Sequence, residues 1–288
     1  AIGSEYHWYR NRSGIVVLIS TLNGKTSVAS YYTQKGDLWW AQIIPRDLYG
    51  DFGSPINTTQ ITISNTAPQI LYYHWGRTEY RTDNDLTFNY DFFDYDTGDE
   101  EQGFLTRWYR NGTYLPEYDN NVSILAQNTA KGEIWFVEIS VSDGELYSPW
   151  FGLPNITIRN KPPSAALIEL LPLTPSTSEN LYATWNYLDI DNDTEQLARV
   201  RWFKNTALQS NLDDSDVVSS AYTTKNEIWY YTLEVFDGEN YSIIYSSSAI
   251  TILNTPPTLD NVTFSSINLG TTDTLEVRGS SMMEMEIL

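Results

Sequence analysis

The sequence repeats itself with a period of about 95 residues, and this repetition limits the fold more than any other feature. Three short segments each occur three times: HWYRN (7–11), RWYRN (107–111) and RWFKN (201–205); GDLWW (36–40), GEIWF (132–136) and NEIWY (226–230); ITISNTAP (61–68), ITIRNKPP (156–163) and ITILNTPP (250–257). Successive copies lie 94 to 100 residues apart. Such a period is typical of chains that fold as a row of similar units, each contacting mainly its neighbours.

The proline that ends each linker sets the predicted domain boundaries. Residues 69–163 and 164–257 are two complete domains, residues 1–68 an incomplete domain that lacks its first two strands, and residues 258–288 the first strands of a further domain. An incomplete sandwich exposes sheet edges and core, which proteins normally avoid. Two explanations stay open: the chain is an excerpt of a longer array, or residues 258–288 are a donor segment that completes residues 1–68 of a neighbour.

Within each unit, apolar and polar residues alternate with a period of two. Trp135, Val137 and Ile139 alternate with Phe136 and Glu138, and the next copy repeats the pattern from Trp229. This alternation indicates half-buried antiparallel strands, and Gly, Asn, Asp and Pro separate the strands about every ten residues. About seven short strands in 95 residues predict an all-β fold of tandem β-sandwiches arranged head-to-tail.

Several of these segments resemble a known class of domain. WYRNG (108–112) is similar to the third strand of immunoglobulin-like domains, and residues 123–144 are similar to the run from their fifth strand through their sixth strand. The acidic turn NYDFFDYDTGDEE (89–101) and the proline-ended linkers resemble the cadherin-like and polycystic-kidney-disease-type repeats of archaeal or bacterial cell-surface proteins. The resemblance implies tandem immunoglobulin-like sandwiches with a Trp packed between the sheets, here without the disulfide cysteines.

Aromatic residues that recur at one phase of the repeat are expected to fill the core, because one large ring supplies much of the apolar burial of a small sandwich. The predicted core tryptophans are Trp8, Trp108, Trp202, Trp39, Trp135 and Trp229. An aromatic platform that stacks sugars is the alternative. Trp40, Trp150 and Tyr118 lie outside this recurrence, so they are the better candidates for glycan binding.

Acidic loops also recur, and they predict a metal site. One loop precedes the third strand and a second follows the sixth strand, and in a sandwich both lie at the pole that meets the preceding linker. The candidate ligands are Asp94, Asp96, Asp99, Asp143, Asp189, Asp191, Asp193 and Asp237. Converging carboxylates repel each other unless a cation intervenes, and calcium accepts six to eight oxygen ligands in a flexible geometry. We therefore expect structural calcium that stiffens the junction between repeats; solvated turn acids are the alternative.

Eight Asn-x-Ser/Thr sequons predict a glycosylated extracellular surface. They begin at Asn11, Asn57, Asn111, Asn121, Asn155, Asn192, Asn240 and Asn261. The alternative is that Asn and Thr are simply enriched on a polar β surface.

Composition excludes several functional classes. The net charge of −20 argues against a nucleic-acid binder, because phosphate contacts need a basic face. Without cysteine the chain has no disulfide, thiol nucleophile or cysteine-ligated metal. No apolar run approaches the length of a membrane span. No acid pair, histidine constellation or phosphate-binding loop stands out from the repeats, so we do not expect an enzyme.

These features together predict a structural protein of the cell exterior. It would be a subunit or segment of a glycosylated filament, stalk or surface layer, polymerising head-to-tail if strands are donated between copies. Its partners would be copies of itself or the flanking repeats of a longer chain, together with N-linked glycans. The alternative function is an adhesin, or the glycan-binding accessory repeats of a secreted surface protein.

Overall fold

A computed structural model describes residues 3–264, 268 and 270–282 of the chain, which forms two compact units, Ala1–Arg159 and Asn160–Leu288. Throughout the described part, regular structure consists of β-strands and single turns of 3-10 helix, with no α-helix. The prediction of an all-β fold is confirmed. Parts of the predicted segment 258–288, namely residues 265–267, 269 and 283–288, lie outside the described residues.

The first repeat has a single sheet. Its strands are β1 (Glu5–Arg12), β2 (Ile15–Leu18), β3 (Leu38–Ile44), β4 (Ile56–Asn57) and β5 (Ile61–Thr62), with 3-10 turns at Ser20–Leu22 and Ser30–Tyr32. The strand order is β2-β1-β3, and both β4 and β5 pair with the free edge of β3. The described residues of the first repeat form no second sheet, and the apolar face of this sheet is only partly covered: Trp39 is buried, whereas Ile61 is 57% exposed.

The second repeat has two sheets. Its strands are β6 (Gln69–Trp75), β7 (Tyr80–Arg81), β8 (Leu86–Phe93), β9 (Gly103–Arg110), β10 (Thr113–Tyr114), β11 (Ser123–Ile124), β12 (Ile134–Ser142), β13 (Phe151–Gly152) and β14 (Ile156–Arg159), with 3-10 turns at Pro116–Tyr118 and Ala126–Asn128. One sheet has the order β11-β8-β6 and the other β10-β9-β12-β14-β7, where β7 runs parallel to β14. The short strand β13 also pairs with β12.

The third repeat has the same arrangement. Its strands are β15 (Ser164–Leu171), β16 (Leu181–Leu188), β17 (Leu197–Lys204), β18 (Ala207–Leu208), β19 (Val217–Val218), β20 (Ile228–Phe236), β21 (Tyr245–Ser246) and β22 (Ile250–Thr251), with 3-10 turns at Ser210–Leu212 and Ser220–Tyr222. The sheets are β15-β16-β19 and β18-β17-β20-β21, with β22 also on β20. This division of antiparallel strands between two packed sheets is the immunoglobulin-like sandwich, as predicted.

After the third repeat, β23 (Thr258–Phe264) and β24 (Val277–Met282) form an antiparallel hairpin. Its pairing shifts register between Leu259 and Asn261. The first strand pairs of the two complete repeats shift register within one residue of this position, β6–β8 after Ile70 and β15–β16 after Ala166. The β23–β24 pair is therefore built like the opening hairpin of a repeat.

The recurrent tryptophans lie between the sheets where both sheets are present. In the two complete repeats Trp108, Trp135, Trp202 and Trp229 are fully buried, and in the single-sheet first repeat Trp39 is buried whereas Trp8 is half-buried. The indole N–H of Trp39, Trp135 and Trp229 each donates to an acid two residues earlier, as in Trp135 to Glu133 at 2.9 Å and Trp229 to Glu227 at 3.1 Å. Buried indoles need such partners, which explains the acid that recurs before each of these tryptophans.

In the first repeat that acid is Asp37, and it gives the fold a pH dependence. Arg12 donates from Nε and Nη2 to both oxygens of the buried Asp37 carboxylate at 2.6 Å, and these bonds lower the pKa of Asp37. A depressed folded pKa stabilises the fold above the unfolded value of about 3.9, and this contribution is lost as pH falls through the folded pKa.

We therefore expect Asp37→Asn to lower the free energy of unfolding at neutral pH by about 1–3 kcal/mol, the usual loss for a charged hydrogen bond. The deficit relative to wild type should shrink as the pH falls through the pKa of Asp37. Urea unfolding at several pH values measures this, with the exposed Asp51→Asn as the matched control. A deficit that does not change with pH would contradict the assignment.

Candidate functional site

The first acidic cluster forms where two loops of the second repeat meet. Asp94 and Asp99 lie in the loop between β8 and β9, and Asp143 lies in the turn after β12. One carboxylate oxygen from each of the three lies within 4.8 Å of the others. The turn residue Gly144 has a φ of +94°, a conformation that side chains other than glycine rarely adopt, so the Asp-Gly pair holds Asp143 at the junction.

Hydrogen bonds fix the orientation of these carboxylates and bring the preceding linker into the cluster. Asp143 Oδ1 accepts from the amides of Glu145 and Leu146, each at 2.7 Å, and Asp143 Oδ2 accepts from Asn65 Nδ2 at 2.8 Å. Asp96 points to the linker instead, because its Oδ2 accepts from the amide of Thr66 at 2.6 Å. The linker residues are thus part of the same polar site.

Two buried oxygens at this junction fit a cation. Asp94 Oδ2 and Asn65 Oδ1 are both shielded from solvent and have no hydrogen-bond partner. Unpaired buried oxygens are costly, and oxygen atoms are the ligands that calcium prefers. Burial raises the pKa of Asp94, and the neighbouring charges of Asp96, Asp99 and Asp143 raise it further. A divalent cation bound among these carboxylates would relieve that repulsion.

Lys35 of the first repeat supplies part of the compensating charge. Its Nζ lies 2.9 Å from Asp99 Oδ2 and 2.6 Å from Glu145 Oε1. This contact was not predicted from the sequence, although Lys35 recurs at the same phase as Lys131 and Lys225. One lysine does not balance the five acids at this junction, so the cluster keeps a strong negative charge.

The third repeat contains a second cluster with the same design. Asp189, Asp193 and Asp237 each place one carboxylate oxygen within 4.8 Å of the others. Asp237 Oδ2 accepts from Asn160 Nδ2 at 2.7 Å, and Asp191 Oδ2 accepts from the amide of Lys161 at 2.8 Å. In both clusters, therefore, three predicted ligands come together, and the fourth, Asp96 or Asp191, holds the linker.

The aromatic rings of the candidate glycan-binding residues contact other side chains of the protein. Trp40 stacks on Tyr9 at 5.5 Å with an interplanar angle of 7°. The Arg107 guanidinium lies 4.0 Å from the ring centre of Trp150. Tyr118 packs edge-on against the buried Trp135. Each of these aromatics thus has a structural contact within its own repeat.

The sequon asparagines differ in exposure. Six are exposed: Asn57, Asn111, Asn121, Asn155, Asn192 and Asn261. Asn11 and Asn240 are half-buried, and Asn240 Oδ1 accepts from Asn160 Nδ2 at 3.1 Å. The exposed set is sterically open to a glycan, whereas the other two are engaged in packing.

No protein-family model and no curated protein matches this sequence. Solved structures that it resembles include the FN1–FN3 domains of chicken CNTN1, with 11% identity and a TM-score of 0.29, covering 87% of this chain and 90% of that chain. Extracellular domains 3–5 of Drosophila OTK give 10% identity and a TM-score of 0.32, and the match covers 88% of this chain and 87% of that chain. Domains A168–A170 of titin give 10% identity and a TM-score of 0.31, and the match covers 86% of this chain and 88% of that chain.

Among the described residues, no helix has the length and apolarity needed to cross a membrane.

Proposed function

We propose that this chain is a structural protein of the cell exterior, built to extend an array of sandwiches, and that its first repeat is completed by the β23–β24 hairpin of a second copy. The observation that supports this most strongly is the match between two exposed apolar surfaces. One is the open sheet of the first repeat, and the other is the hairpin. We call these the open face (β1, β3 and β5) and the donor hairpin (β23 and β24).

Two positions of the open face, Ile43 and Ile61, are more exposed than the equivalent positions of a complete repeat. Ile139 of the second repeat is buried against Ile70 of its opening hairpin, but the equivalent Ile43 is half-buried. Ile61 is 57% exposed, whereas its counterpart Ile250 in the third repeat is 7% exposed. Burying this apolar surface stabilises by about 25 cal/mol per Å², so a covering hairpin has a clear driving force.

The donor hairpin carries the residues that such a cover needs, at the right register. Leu275 stands at the same distance from its linker proline as Leu86 and Leu181, which are fully buried, yet Leu275 is 67% exposed. Phe264 stands at the phase of Leu170, which is 2% exposed, and is itself 53% exposed. The hairpin therefore presents a core-forming face that is not covered in its own repeat.

Copies that each donate a hairpin to the next copy associate head-to-tail, and such a contact extends into a filament where its rotation does not close a ring. The acidic clusters would bind calcium and stiffen the junction between repeats, as the unpaired oxygens of Asp94 and Asn65 support. The six exposed sequons would carry N-linked glycans on the outer surface. Both are further elements of this proposal.

The molar mass of the 288-residue chain by light scattering tests donation directly. We expect polymers for wild type and monomers for Phe264→Asp/Leu275→Asp, since two carboxylates cannot enter an apolar core. The matched control is Thr263→Asp/Thr274→Asp, which places the same charges at neighbouring exposed positions of the hairpin and should polymerise like wild type. A monomeric wild type would contradict donation between copies and indicate that preceding residues of a longer chain cover the open face.

A further inference from the structure

The linker asparagine of one repeat is hydrogen-bonded to an aspartate of the repeat that follows. Asn65 Nδ2 donates to Asp143 Oδ2 at 2.8 Å, and Asn160 Nδ2 donates to Asp237 Oδ2 at 2.7 Å. Asn160, Asp143 and Asp237 are all buried. The same pair of residue types therefore locks the linker to the next repeat at both junctions.

A third asparagine stands at this phase, and the described residues that follow it form the β23–β24 hairpin. Asn254 lies three residues before the linker proline Pro257, as Asn65 and Asn160 do relative to Pro68 and Pro163. Its side chain is exposed, and its Nδ2 donates to the neighbouring carbonyl of Thr255 at 3.0 Å. Asn254 is thus placed like the asparagine that donates the hydrogen bond at each of the other two junctions.

The acceptor half is present in the first repeat. Asp47 follows the sixth-strand equivalent β3, at the phase of Asp143 and Asp237. Asp47 Oδ1 accepts from the amides of Tyr49 and Asp51, each at 2.9 Å, just as Asp143 Oδ1 accepts from two amides of its own turn. The Asp47 side chain is exposed. At the other two junctions, the Oδ2 atom of the equivalent aspartate accepts from the linker asparagine.

We infer that Asn254 of one copy donates to Asp47 Oδ2 of the next copy, forming the polar contact at the junction between copies. This inference rests on the proposed donation of the hairpin, because residues 258–264 follow directly from the linker and carry Asn254 to the same pole. Lys225 supports it: Lys225 is exposed and stands at the phase of Lys35, which contacts Asp99 and Glu145 of the following repeat. Lys225 would meet the acidic turn 47–51.

The test is a reciprocal exchange of the two side chains, measured as the concentration at which the full chain polymerises. Asn254→Asp sets two carboxylates against each other and should raise that concentration at least tenfold. Adding Asp47→Asn restores a carboxylate–amide pair with the roles reversed, and should return the concentration to within about threefold of wild type. Asn211→Asp, which adds the same charge at an exposed site of the third repeat, is the control and should have no effect.

The outcomes separate the two ideas. If wild type polymerises and Asn254→Asp polymerises equally well, the contact is wrong and hairpin donation stands. If Asn254→Asp weakens assembly but the double variant does not recover, the two residues do not meet, and the contact is again wrong. If wild type is a monomer at every concentration, both the contact and the donation fail. All positions are exposed in the monomer, and an unchanged melting temperature would verify that each variant folds.

Discussion

Trp202→Ala will lower the free energy of unfolding of the third repeat by about 3–5 kcal/mol, the range for removing a large buried aromatic. Trp202 is fully buried, and its ring centre lies 6.4 Å from that of Trp229 and 5.4 Å from that of Tyr231. Its indole N–H also donates to the carbonyl of Ser215 at 2.8 Å, so the substitution leaves a cavity and removes the donor of a partly buried carbonyl oxygen.

The chain provides its own control for this prediction. Trp8 stands at the same phase and makes the same kind of bond, donating to the carbonyl of Lys25 at 2.9 Å, but it is only half-buried beneath the open face. Trp8→Ala should therefore cost clearly less. Urea unfolding followed by circular dichroism, in the Phe264→Asp/Leu275→Asp background that keeps the chain monomeric, gives both values. Equal losses would mean that the second sheet adds little to the core.

Calcium at the acidic clusters is expected to raise the melting temperature, and a chelator to lower it. A ligand that binds only the folded state stabilises by about 2.7 kcal/mol at 100 times its dissociation constant. The response should weaken in acid, because binding must displace the proton that the raised pKa of Asp94 favours. Calorimetric titration should give two sites per chain, one for each cluster.

Asp143→Asn and Asp237→Asn are the matched variants for calcium. Asparagine keeps an oxygen that accepts from the turn amides, so the local fold should survive while one ligand charge is lost. Each variant should remove one of the two sites, and the exposed Asp51→Asn should remove none. A melting temperature that changes with neither calcium nor chelator would refute the calcium proposal. Lys35 and the linker amides would then be the groups that hold these carboxylates.

The repeat and the alternation of apolar and polar side chains were enough to predict the two-sheet fold, because both patterns can be seen along the sequence without knowing which residues meet in space. The partner of each acid could not be predicted in this way. Asp94 and Asp96 lie two residues apart in one loop, and only the folded turn, in which the amide of Asp96 donates to Asp94 Oδ1 at 2.7 Å, decides that Asp94 faces the cluster and Asp96 the linker. The ion pairs of Lys35 with Asp99 and Glu145 could not be predicted for a related reason. A long polar side chain follows no apolar periodicity, and the acids that it contacts belong to the neighbouring repeat.

The parallel pairing of β7 with β14 has a consequence for a chain under tension. A pull on the linkers draws the start of the second repeat one way and its end the other. Ile158 and Arg159 face Tyr80 and Arg81 in parallel register, so the two strands slide past each other instead of peeling apart. In the third repeat, Leu253 runs parallel to Ser176 in the same way. Hydrogen bonds loaded in shear share the force and break together, which slows the forced unfolding of the repeat.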